Sequence, residues 1–240
     1  GLDLGNYNKR QIMGIISGPL TDQLRARVAF SDKKRDGFVE NISPLANDDE
    51  LLDSDYTSVR ASLEVDLTDD VEVFLSAYHY EDDSNSFVQR IVDEYPDSGF
   101  YPGLNLPYTN ISASDPFKIR SDFDHEASDD AEGISLDISW NLSALTFNSL
   151  SAYNDAERAI AQDLDGTDVA ARDQRTVLGS KTFTQEFQLL SDDNTDLKWI
   201  LGLFYFEEQS DYFLRITIPL LPGSEFTSTP VEVETTSQAV

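Results

Sequence analysis

Few residues in this sequence could carry out covalent chemistry. Its 240 residues include no Cys and only two His, His79 and His125. Thiolate catalysis, thiolate metal sites and disulfide frameworks are therefore excluded. His79 falls in an alternating stretch near its loop end, where an interfacial position is expected. His125, in Asp124-His125-Glu126, could join a loop ligand site. No Gly-rich phosphate loop leads from a strand into a helix, and there is no nucleophile elbow. Carboxylates are the abundant group: 45 Asp and Glu stand against 17 Lys and Arg, for a formal charge of -28. A pair of carboxylates can hydrolyse a glycoside, but so many acids form pairs by chance, and none is singled out. Asp163, Asp165 and Asp168 surround Gly166 and set oxygens at alternate positions, a spacing that suits Ca²⁺. The distal Glu of an EF-hand is missing, and a solvated acidic loop accounts for the same residues. The chain thus reads as a non-enzyme with no cofactor. Its negative field would repel nucleic acid, whose binding rests on basic side chains meeting phosphates.

The elements that would position these residues show a period of two. Leu24, Ala26, Val28 and Phe30 alternate with Arg25, Arg27 and Ala29. Val59, Ala61, Leu63, Val65 and Leu67 alternate with Arg60, Ser62, Glu64 and Asp66. Ile134, Leu136, Ile138, Trp140 and Leu142 alternate with Ser135, Asp137, Ser139 and Asn141. Successive strand side chains point to opposite faces, so each stretch has one apolar and one wet face. The spacing predicts strands over 8–18, 23–32, 56–67, 71–81, 132–142, 145–154, 181–190 and 197–214. A bulge is expected where alternation falters, from Ser149 to Ala152. The Thr-rich end from about Pro219 is expected to hold no closing strand.

Short connections rich in Gly, Pro, Asn and Asp, such as Gly18-Pro19-Leu20-Thr21-Asp22 and Leu67-Thr68-Asp69-Asp70, alternate with long acidic ones over about 32–54, 82–130 and 155–178. An up-and-down sheet with this order has its tight turns on one rim and its long loops on the other. A soluble sandwich also alternates, but its strands average about five or six residues. Several stretches here run to about nine or more, the length of a tilted strand that crosses a bilayer. Trp140 and Trp199 fall beside short turns, as in an aromatic girdle, and Tyr56, Tyr78, Tyr80, Tyr153 and Tyr205 lie toward the long-loop ends. The pattern is that of an outer-membrane barrel. Asn41-Ile42-Ser43 fits a glycosylation sequon by chance.

Gly5-Asn6-Tyr7-Asn8, then Gly18-Pro19-Leu20-Thr21-Asp22 and Arg25-Ala26-Arg27, resemble the first barrel hairpins of TonB-dependent receptors. Lys34-Arg35-Asp36-Gly37-Phe38-Val39 resembles the top of the next strand. Thr184-Gln185-Glu186-Phe187-Gln188-Leu189-Leu190-Ser191, a short turn and Trp199-Ile200-Leu201-Gly202-Leu203-Phe204-Tyr205-Phe206 resemble a recurrent hairpin of that family. The resemblance spans nearly the whole chain, residues 1–240, apart from the loops. It implies an all-β fold: an open antiparallel up-and-down sheet of about eight long strands, part of a barrel of about 22 strands with a plugged lumen. Plug, TonB box and closing strands would lie outside these residues. With no initiator Met, the chain reads as an internal piece.

The implied function is TonB-driven uptake of a scarce, bulky nutrient, such as an iron–siderophore complex, across a Gram-negative outer membrane. The implied partners are outer-membrane lipid, the plug, the TonB system and a small-molecule metal chelate. Arg25, Arg27, Arg60, Glu64, Asp66, Asp137, Glu186 and Gln188 are the lumen-facing candidates, and a hydrated inner wall accounts equally for each. Tyr95, Phe100, Tyr101 and Tyr108, in the longest loop, are the ligand-contact candidates, since aromatics bury much area at low entropy cost. A passive or structural barrel and a secreted acidic β-protein binding calcium or polysaccharide are the alternatives.

Overall fold

The computed structural model describes residues 1–45, 50–85, 88–90, 115–167, 170–192, 196–218, 226–228 and 230–239. Every regular element among them is a strand: β1 (Leu2–Leu4), β2 (Arg10–Pro19), β3 (Leu24–Arg35), β4 (Val39–Asn41), β5 (Glu50–Leu51), β6 (Ser54–Thr68), β7 (Val71–Asp82), β8 (Lys118–Ile119), β9 (Glu126–Asn141), β10 (Leu145–Asp163), β11 (Asp173–Ser191), β12 (Ile200–Thr217), β13 (Phe226–Thr227) and β14 (Val231–Ala239).

One large antiparallel sheet runs β1-β2-β3-β6-β7-β9-β10-β11-β12, with β13 and β14 both on the far side of β12. Its eight long strands, β2, β3, β6, β7 and β9 to β12, are those expected. Tight connections at 20–23, 69–70 and 142–144 share a rim with the 192–199 connection, and the longer ones share the other. The β1–β2 turn has Tyr7 and Asn8 both at positive φ, 58° and 51°. That backbone matches strand twist in a tight hairpin.

Cross-strand partners share a face, so the register sorts the side chains. Leu63 lies opposite Ala26 and Leu75, and Leu75 opposite Leu136. Ala61, Ala77 and Ile134 form the next row, and Val65, Val73 and Ile138 the one on its other side. Val59, Ala61, Leu63, Val65, Ile134, Leu136 and Ile138 therefore share one face, as the alternation predicts. No second sheet covers that face among the described residues: Val28 is 47% exposed, Leu63 39%, Ile134 49% and Leu203 51%. A sandwich would have buried them. From Ile134 to Trp140 the strand rises about 20 Å, close to the outer-membrane band of about 25 Å once end side chains are included.

The structure departs from the expectations in four respects. The strands outrun their predicted ends on the loop side, so β10 reaches Asp163 and β11 begins at Asp173. Pairing there continues with polar residues on both faces, and a hydrophobic period cannot register it. Residues 231–239 form β14 against β12, where no strand was expected. Ser149 to Ala152 pair continuously on both sides, without a bulge. The irregularity falls at Leu67, between the Asp66 and Thr68 pairings, where the strand runs into its tight turn.

The buried apolar cluster lies in the loops. β5, β4 and β8 form a small separate sheet, with β4 and β8 parallel. Val39, Leu51 and Ile119 bury themselves there, with Phe38, Leu52 and Val88 packed around them.

Candidate functional site

The polar face of the large sheet carries every lumen-facing candidate. Arg25 lies opposite Glu64, Glu64 opposite Phe74, Phe74 opposite Asp137, Asp137 opposite Leu150 and Leu150 opposite Glu186. One row thus crosses the wall near the short-turn rim. Asp66 and Gln188 fall in the row below it, Arg27 in the row above, and Arg60 one row higher. Arg25 forks onto Asp66 with two bonds of 2.7 Å and reaches Glu64 at 2.9 Å. Above this row the wall carries mostly small side chains, such as Ser62, Ser76, Ser135, Ala152 and Thr184.

Near the loop rim the polar face turns aromatic. Tyr56 and Tyr80 have ring centroids 6.2 Å apart. Lys33 lies over the Tyr56 ring at 5.5 Å and Arg60 over the Tyr78 ring at 5.4 Å. The hydroxyls are engaged: Gln11 Nε2 donates to Tyr56 at 3.1 Å, Tyr78 donates to Asn154 at 3.1 Å and Tyr80 to Asp82 at 2.7 Å. Their register puts Tyr56, Tyr78 and Tyr80 with Arg60, on the polar face and away from the girdle. On the apolar side, Tyr153 lies opposite Ile134 and Phe183, and the Phe183 and Tyr205 rings lie 6.2 Å apart. Trp140 and Trp199 are the exposed aromatics at the short-turn rim, 46% and 42% exposed.

Beside Tyr80 a cavity of about 650 Å³ opens, lined on the polar face by Ala131, Ala156, Arg158, Leu178 and Tyr212. Arg158 forks onto Asp129 there, with Nη2 2.6 Å from Oδ2. That volume is in the range of small-molecule sites. An apolar shelf beside a fixed guanidinium–carboxylate pair can seat an organic group and orient a charged one. The chain's acidity lies mainly elsewhere: Glu81, Asp130, Glu132, Asp155, Glu157 and Asp211 share the other face, just past the apolar band.

The loop candidates separate. Asp163 Oδ1 accepts from the backbone N–H of Asp165 at 2.7 Å and of Gly166 at 3.0 Å. Asp165 Oδ1 accepts from Thr167 N–H at 3.1 Å, and its Oδ2 from Arg172 N–H at 2.7 Å. These bonds fold the loop around Gly166, whose φ is 67°. Burial pushes the Asp163 carboxyl up to about 7, and the Asp165 charge adds to the shift. Burial also raises Asp165 and takes Asp173 to about 6. Among the described residues, no group of three Asp, Glu or His is arranged to hold a metal ion. Asp168, Tyr95, Phe100, Tyr101 and Tyr108 lie outside the described residues. His125 is buried edge-on to Phe123 at 6.2 Å, and burial depresses its pKa.

Sequence reasoning missed a strap around Ser121. Asn41 Nδ2 donates to the Ser121 carbonyl at 3.1 Å, and Ser121 N–H donates back to Asn41 Oδ1 at 3.1 Å. Asp122 N–H then reaches the Thr167 carbonyl at 3.3 Å. The strap ties the first long loop to the third. Nothing in the local sequence signals it; Asn41 is buried against Ser121, eighty residues away.

No protein-family model and no curated protein sequence matches the chain. Solved structures do. The chain is similar to the ferric yersiniabactin uptake receptor FyuA from Yersinia pestis, with TM-score 0.69 and 14% identity over 98% of this chain and 33% of that one. The ferric citrate transporter FecA, unliganded, gives 0.66 and 9% over 97% and 32%. The siderophore receptor PiuA from Acinetobacter baumannii gives 0.62 and 13% over 99% and 37%. The chain spans about a third of each of these structures. Its fold is that of a β-barrel wall. More narrowly, it has the fold of part of the barrel of TonB-dependent receptors, the family whose hairpins the sequence resembles.

Proposed function

We propose that this chain forms part of the wall of a Gram-negative outer-membrane receptor that takes up a scarce, bulky nutrient such as an iron–siderophore complex. The carrying observation is the uncovered apolar band backed, residue for residue, by a polar face with a ligand-sized cavity at its loop rim. Lipid solvates the band, since alternating strands leave no other cover for it. A plug domain occupies the polar side, the TonB system supplies the energy through that plug, and the loops and upper wall meet the ligand. The names of the similar structures support a metal chelate as that ligand.

The test compares a strain deleted for the whole gene with its parent. Expected are loss of uptake of at least one labelled ferric chelate, and a heat-modifiable band in outer-membrane fractions of the parent alone. A soluble periplasmic or secreted product would overturn the reading.

A further inference from the structure

In a chain of charge -28, Arg27 and Arg60 on the polar face have no carboxylate partner among the described residues. Arg25 is satisfied by Glu64 and Asp66. Arg27 and Arg60 are exposed and form no ion pair among the described residues, and Arg60 lies over the Tyr78 ring. The neighbouring carboxylates, Glu64 and Asp66, bond Arg25 instead.

The register brings the two arginines together. Arg27 lies opposite Ser62, and Arg60 opposite Ala29, two residues along the neighbouring strand. Such diagonal pairs lie about 7–8 Å apart at the backbone, within reach of long side chains. Ser62 lies opposite Ser76, and their hydroxyl oxygens are 3.2 Å apart. Ser17, opposite Arg27, adds a third hydroxyl to the row. Adjacent like charges repel, and a bridging anion turns that repulsion into attraction. The guanidinium fork matches the two oxygens of a carboxylate or phosphate, and hydroxyls can donate to the remaining lone pairs.

We propose that Arg27 and Arg60, with the Ser62 and Ser76 hydroxyls, form an oxyanion site on the inner wall that takes a carboxylate or phosphate group. The site rests on the receptor reading only in that the polar face is the inner one. The oxyanion has two sources: an acidic solute in the lumen, or an Asp or Glu side chain from another part of the same polypeptide.

The experiment uses the intact protein isolated from outer membranes in detergent. Wild type, the double variant Arg27→Gln/Arg60→Gln and the double variant Arg27→Lys/Arg60→Lys are titrated with citrate and with inorganic phosphate, and each is melted. With a solute as the source, wild type binds citrate or phosphate, and the Gln variant binds it about tenfold or more weakly, as expected for lost charge-assisted bonds. The Lys variant falls between, because it keeps charge without the fork. With an internal side chain as the source, wild type binds neither probe and the Gln variant melts lower. That deficit shrinks as NaCl rises, which a packing loss would not do. A Gln variant equal to wild type in affinity and in melting overturns the site. Chelate uptake is measured in the same strains, so a receptor that works without the site is told apart from a protein that is no receptor.

Discussion

Leu63 and Leu51 are both leucines in β-strands, yet Leu63 is 39% exposed and Leu51 is fully buried. Leu63 belongs to the wall, where one face meets its environment along the whole strand. Leu51 belongs to the cap that the loops build from β4, β5 and β8. The wall holds itself by backbone pairing from strand to strand and leaves its apolar face uncovered among the described residues, a face that lipid covers in the proposed receptor. The cap closes its own small core. The same residue type is therefore left open in one place and packed by Val39 and Ile119 in the other. The two regions must fail differently.

Leu63→Arg breaks the comparison most severely. The row of Ala26, Leu63, Leu75 and Leu136 has apolar rows on both sides, so in the proposed receptor a cation there sits near mid-depth of the bilayer. It costs about 2–4 kcal/mol, and assembly of the intact protein into the outer membrane is expected to fall sharply. Normal amounts of heat-modifiable barrel in membrane fractions would show that this row lies elsewhere.

Leu51→Ala strikes the cap instead. Truncating a buried Leu costs about 2–5 kcal/mol, which is large for so small a core. The barrel is expected to assemble normally while amides over 38–42 and 117–121 lose hydrogen-exchange protection. Equal loss of protection in β6 and β7 would mean that wall and cap unfold as one unit.

The smallest effect is a pH dependence confined to the loop ends of β10 and β11. Free carboxylates titrate near about 4, but in the folded chain Asp163 is raised to about 7 and Asp173 to about 6. The folded state therefore binds more protons than the unfolded one between those values. By linkage, the stability from these groups is fully present below about pH 4 and is lost as pH rises through the folded values. Buried His125 acts in the opposite sense, since its lowered pKa costs stability as pH falls. Asp163→Asn imitates the protonated acid and separates the two. Exchange protection over 121–125 and 164–167 is expected to improve in the variant at pH 8 and to match wild type at pH 4. Improvement of equal size at both values would assign Asp163 a role independent of its charge.

Much of the wall was legible because a strand with one apolar and one polar face follows a simple rule. Its residues must alternate, so Val59 to Val65 and Ile134 to Ile138 declared both their strands and their faces. Arg25, Arg27, Arg60, Glu64, Asp66, Asp137, Glu186 and Gln188 followed as the complement. The rule lapses where the apolar band ends. Beyond Asp155 both faces of β10 meet water or other loops, and pairing with β11 continues without any hydrophobic period to reveal it. β14 stayed hidden for the same reason: Val231 and Val233 alternate briefly before Thr235, Thr236 and Ser237.

By itself the sequence determined which residues share a face, because that depends only on parity along each strand. The tertiary structure decided which strands lie side by side, and at what register. Among the described residues, register seats Arg25 between two carboxylates and leaves Arg27 and Arg60 without one. Chain folding brings Asn41 to Ser121 across eighty residues of sequence, a contact that no local pattern encodes. Parity is a local property of the backbone, whereas register and loop packing are settled by the free energy of the whole assembled sheet.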